Sequence, residues 1–90
     1  MNQSILFGDE LRWDEQQRCV IFMAQSMGAL LECIVPAELL EELAGKPVVE
    51  QTEGFSVFNQ FRFDLEETAE QLIEDEDYDS QGRVVVNTLN

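Results

Sequence analysis

Two β-prone runs, Arg18 to Gln25 and Ala29 to Val35, flank Ser26-Met27-Gly28, and their pairing constrains the rest of the fold. With Met27-Gly28 as the loop, Val20 falls opposite Val35, Phe22 opposite Cys33, and Ala24 opposite Leu31 on one face. The other face carries Cys19, Ile21, Met23, Leu30, Glu32 and Ile34 and is also largely apolar. A sheet with two apolar faces has to be covered on both sides or used for association. The alternation also sends Cys19 and Cys33 to opposite faces, which argues against a disulfide.

Upstream of this hairpin, Ile5 to Phe7 reads as a short strand stopped by Gly8-Asp9. Leu11-Arg12-Trp13 then leads into a type I turn opened by Asp14, with Trp13, the sole tryptophan, as a core anchor. Downstream, Pro36 suits the first turn of a helix, and Gly45 is placed to cap its end before Pro47. Phe55, Phe58, Arg62, Leu65, Ala69 and Leu72 recur in steps of three and four, with Phe61 and Ile73 beside the stripe. This predicts a second helix with a bend or start near Gly54, Thr52 as its N-cap and an end between Ile73 and Asp77. Arg83 to Thr88, rich in valine, reads as a closing strand. The expected fold is a single α+β domain over residues 1–90. An antiparallel sheet of N-terminal hairpins plus a C-terminal strand carries two helices, about 36–44 and about 52–75, packed on one face.

Charge narrows the possible partners. The net charge is −14, of which residues 55–79 hold −8, ending in Glu74, Asp75, Glu76, Asp77, Tyr78 and Asp79. Such a field repels phosphate backbones and anionic lipid, so neither nucleic acid nor a membrane is an expected direct partner. No apolar run approaches the roughly 18 residues of a membrane span, and Met1 to Ser4 lack the basic start of an export signal. The cytoplasm is the expected location, with Cys19 and Cys33 as buried, reduced thiols. The acidic run sits where the helix dipole is already negative, so the last turn is expected to fray or stop early.

Few constellations carry chemistry. Asp75, Asp77 and Asp79 occupy positions 1, 3 and 5 of a calcium loop, but Ser80 replaces the glycine and Val86 the bidentate glutamate. They remain weak metal candidates only. Pairs such as Asp64 with Glu67, or Glu66 with Glu70, share helix faces, but in a chain with nineteen acids such pairs discriminate nothing. Neither cysteine has a histidine to activate it, and the five glycines are scattered, so no catalytic residue and no cofactor is assigned. Arg62, which interrupts the apolar stripe, is read as structural, its stem on Phe58 and Leu65 and its head on Glu66. The functional expectation is a small binding module, with a carboxylate-based enzyme or weak divalent-cation domain as the alternative. One candidate surface is the acidic run Glu74, Asp75, Glu76, Asp77 and Asp79, facing a basic protein. The other is the second sheet face with Ile21 and Met23, facing another copy of the chain.

Trp13 followed by Val20 and Phe22, then Leu31, Cys33 and Ile34 ahead of Leu39, and later Phe58, Arg62, Leu65 and Ala69 before Gly82, form one pattern. It resembles a small bacterial family, domain of unknown function 1488. The resemblance spans nearly the whole chain and implies a compact α+β fold without an assigned activity. Its positions, including Trp13, Phe22, Cys33, Phe58, Arg62 and Leu65, are mostly core positions. One departure is Pro36, where a serine-like cap is expected at the start of the first helix.

Overall fold

In the computed structural model, which describes residues 5–89, β1 (Ile5–Asp14), β2 (Cys19–Ser26) and β3 (Ala29–Pro36) form an antiparallel meander. The reading of Met1 to Ser4 lies outside the described residues. The predicted β2–β3 register holds residue for residue, with Val20 opposite Val35, Phe22 opposite Cys33 and Ala24 opposite Leu31. Met27 and Gly28 both adopt positive φ, as a tight two-residue hairpin requires. The β1–β2 loop opens on Asp14, whose Oδ1 accepts the Gln17 amide at 3.0 Å.

Gly8-Asp9 does not stop the first strand. β1 continues through an irregularity between Phe7 and Leu11, where four steps along β1 face two along β2. The extra residues leave Phe7, Leu11 and Trp13 packed against the same core.

Three helices cover one face: α1 (Ala37–Ala44), α2 (Gln51–Gln60) and α3 (Arg62–Glu74). Pro36 is the N-cap of α1, one position before its expected place, and Gly45 closes that helix at φ 71° with its amide on the Glu41 carbonyl. Arg18 clamps the helix to the sheet. Its guanidinium donates to Glu41 and to the Val48 carbonyl, while Glu41 accepts the Val48 amide at 2.9 Å.

The expected single second helix is divided at Phe61, whose φ −112° and ψ 18° leave the helical region. The 24 residues from Gln51 to Glu74 would make a rod of about 36 Å. The break lets both segments lie on the sheet within a radius of gyration of 12.3 Å. Thr52 lies inside the first turn of α2; Glu50 is the N-cap, and Glu53 turns back to accept the Val49 and Glu50 amides. Gly54 marks no bend. A Cβ there would stand 2.9 Å from Trp13 Cζ3 and 3.3 Å from Val20 Cγ2, so the glycine lets α2 cross the sheet at close range.

The sheet is mixed rather than purely antiparallel. β4 (Val84–Val85) pairs parallel to β3, and the Val86 amide bonds the Ile34 carbonyl. The helical layer supplies the long crossover that parallel pairing needs. The core lies between this layer and the inner sheet face, with Val20, Phe22, Cys33, Val35, Leu40, Phe58 and Leu65 fully buried.

The end of α3 is capped rather than left open. The Asp77 amide bonds the Leu72 carbonyl and the Glu76 amide bonds that of Ile73, a Schellman motif with Glu76 in the left-handed position.

Gly54→Ala is expected to lower stability by about 1 kcal/mol in urea denaturation. Alanine gains about 1 kcal/mol of helix propensity, but crowding the Trp13 ring costs about 1–3 kcal/mol. Glu76→Gly is expected to raise stability by about 0.5–1 kcal/mol. It removes a left-handed penalty of about 1–2 kcal/mol against the extra chain entropy of glycine.

Candidate functional site

Part of the acidic run is used by local structure. Glu74 ends α3, Asp75 accepts from the Gln71 side chain at 3.3 Å, and Glu76 occupies the left-handed cap. Asp79 is fully engaged: Oδ1 accepts the Gln81 and Arg83 amides, each at 2.8 Å, and Oδ2 accepts Arg83 Nε at 3.0 Å. These bonds, the Arg83 amide first, hold its carboxyl below the ordinary value of 3.8. Asp79 therefore folds the loop that feeds β4 into the sheet. Among the described residues no three of Asp, Glu, Cys and His are gathered as a metal site, so Asp75, Asp77 and Asp79 are not brought together.

The residues read as structural take structural places. Trp13 packs against the core, and its Nε1 donates to Glu15 at 2.8 Å. Arg62 lies 5.0 Å over the Phe58 ring, donates to Glu66 at 3.2 Å and to Asn59, and reaches the Asp9 carbonyl on β1. Both cysteines are free and buried, on opposite faces as the register requires. Burial pushes the Cys33 thiol up to about 12, and burial, with Asp14 adding to it, raises Cys19. Neither is a thiolate at neutral pH.

What the sequence reading did not assemble is a groove between α3 and β1. Phe63, Glu66, Glu67 and Glu70 sit at i, i+3, i+4 and i+7 on α3, facing Ile5 and Phe7 of β1 across a hollow of about 230 Å³. Phe63 is 77% exposed. Glu66 is engaged by Arg62, whereas no ion pair of the described residues involves Glu67 or Glu70. All four arginines are already in ion pairs, and of these only Arg62, through Glu66, offsets charge in the groove, so Glu67 and Glu70 have no arginine partner among the described residues. An aromatic ring, an apolar wall and free carboxylates can attract and stack a cation.

On the opposite side of the sheet no helix of the described residues packs. Cys19, Ile21 and Ile34 are buried there as a small second cluster with Val85, and Met23 is half-buried. The Arg12–Glu32 pair, at 2.8 Å, joins β1 to β3 across β2 on this face. No helix of the described residues is long and apolar enough to cross a membrane.

The arrangement defines a small α+β protein with a mixed four-stranded sheet and a helical layer on one face. The chain belongs to the family described as protein of unknown function (DUF1488), which matches residues 5–86. The resemblance drawn from Trp13, Phe22, Phe58 and Arg62 is thus confirmed. The chain is 42% identical to the uncharacterized protein YrdB of Escherichia coli K12, over 93% of this chain and 96% of that one. It is 40% identical to the YrdB of Shigella flexneri over the same shares. A crystal structure of a family member from Shewanella loihica PV-4, 42% identical, superposes with a TM-score of 0.93 over 100% of this chain and 99% of that one.

Asp79→Ala is expected to destabilise the protein at neutral pH. Because the folded pKa lies below the unfolded one, the contribution of Asp79 is fully present above the unfolded value and is lost as pH falls through the folded one. Thermal melts of wild type and variant should therefore differ by a constant amount near neutrality and converge in acid below pH 3.8.

Proposed function

We propose that the protein is a non-catalytic binding module that receives a basic segment of a partner protein in the groove between α3 and β1. One observation carries this reading: an exposed phenylalanine shares a helix face with three carboxylates beside an apolar wall, in the most acidic stretch of the chain. An arginine side chain fits this chemistry. Its planar guanidinium stacks on Phe63 while Glu67 and Glu70 accept its hydrogen bonds. The surrounding negative field speeds the approach of a basic partner and deters nucleic acid. In this reading the groove, rather than the Glu74 to Asp79 run, is the contact surface. With no histidine in the chain and both thiols protonated, the groove offers attraction rather than nucleophilic chemistry. A reducing cytoplasm suits two unpaired, buried thiols.

Titration with a labelled arginine-rich peptide tests the reading. Binding is expected in the micromolar range at low salt and should weaken as salt is added. Phe63→Ala should weaken it by about 2- to 30-fold, the range spanned by a cation–π contact of about 0.5–2 kcal/mol. The Glu67→Gln/Glu70→Gln pair should weaken it and reduce its salt dependence, while Asp75→Asn/Asp77→Asn should have the smaller effect. A peptide that does not bind, or whose binding survives both groove variants, rejects the proposal.

A further inference from the structure

We infer that the partner's basic segment binds as an added strand along the outer edge of β1, an inference that rests on the groove being its contact surface. β1 is an outermost strand of the sheet, with β2 on one side only. The direction of its backbone groups follows from the far edge. The Val86 amide bonds the Ile34 carbonyl, so Ile34 turns its backbone groups toward β4 and, by alternation, Cys33 and Val35 turn theirs toward β2. Their partners Phe22 and Val20 face β3, which leaves Ile21 and Gln25 facing β1. Leu6, opposite Gln25, and Arg12, opposite Ile21, are therefore the residues of β1 that bond to β2. Ile5 and Phe7 point their amides and carbonyls outward, and no hydrogen bond of the described residues takes them up. Phe7, half-buried, is the more accessible of the two.

Edge strands are ordinarily blunted by charge, proline or a bulge, and Ile5-Leu6-Phe7 carries no charge and no proline. The irregularity, the acids Asp9 and Glu10 and the Arg62 bond to the Asp9 carbonyl all come after it, so an added strand ends there. Gly8, between the two, leaves the approach open, since a Cβ on it would meet nothing within 4 Å. The occupant follows from what lies beside this edge. Ile5 and Phe7 are themselves the β1 wall of the groove, so a strand set about 4.8 Å outside them turns the side chains opposite them toward Phe63, Glu67 and Glu70. The intervening side chains lie beside Leu6, 62% exposed on the open side of the sheet. Carboxylates on one side and an aliphatic chain on the other fit a segment in which basic and apolar residues alternate. A helical segment would space its basic residues by three or four and make none of the β1 bonds.

Amide hydrogen exchange of the full chain, with and without a saturating peptide of alternating arginine and leucine, provides the test. In the free protein the Leu6 amide, bonded to Gln25, should exchange slowly and the Phe7 amide fast. Bound peptide should slow Phe7 at least about tenfold, because the Phe7 amide donates to an added strand of either direction. N-methylation of the peptide amides should weaken binding about tenfold or more at one alternate set and little at the other. The arginine set being sensitive means an antiparallel strand, and the leucine set a parallel one. A peptide that binds through Phe63, Glu67 and Glu70 yet leaves Phe7 exchange unchanged, or responds alike to both methylated sets, overturns the added strand and leaves the groove standing. A peptide that does not bind rejects both.

Discussion

Phe22 and Phe58 meet with ring centroids 4.9 Å apart at a tilt of 57°, both fully buried, and this contact sets the helical layer on the sheet. Phe22 sits near the middle of β2 and touches Phe7 of β1 at 5.9 Å, so the column of rings ties both strands to α2. Burying each such side chain contributes roughly 1.5–3 kcal/mol, more than any exposed ion pair in the molecule can supply. Arg62 closes the column over Phe58 and reaches the Asp9 carbonyl in the irregular stretch of β1. The orientation of α3 against β1 follows from that closure. With it follows the position of the groove.

The β2–β3 hairpin was fully legible because strict alternation and a two-residue loop leave one sensible register. The helical stripe was legible too, and Phe58, Leu65 and Ala69 are all buried as its period demands. Its break at Phe61 was not, since no glycine or proline marks it and the stripe resumes in α3 almost in phase. Gly54 misled for a related reason. A helical glycine reads locally as weakness, whereas here its purpose is the approach of Trp13, forty-one residues earlier in the chain. Val84 to Val86 announced a strand without a direction, because alternation is the same read either way. Only the path of the helices makes it parallel.

The groove was half visible. Phe63, Glu66, Glu67 and Glu70 share one helical face in any reading that places them on a helix. Their significance depends on Ile5 and Phe7, whose approach is a product of tertiary packing. The louder signal, Glu74 to Asp79, drew attention because acids adjacent in sequence look like a unit. The structure divides them among a helix end, a left-handed cap and a loop-closing aspartate, and of these roles only that of Asp79 is carried by a carboxylate that holds the chain.

The charge therefore has a direction. Residues 55–79 carry −8, and α3 brings Asp64, Glu66, Glu67, Glu70 and Glu74 of that stretch to the helical layer, while the registers place Arg12, Asp14 and Glu32 on the open sheet face around a buried apolar strip. A uniform −14 would hold all partners of the same sign at a distance, another copy included. Concentrating the acid on the layer of helices leaves the other face of the sheet the less charged one. Since the helices of the described residues cover only one side of the sheet, the fold itself keeps these two surfaces apart.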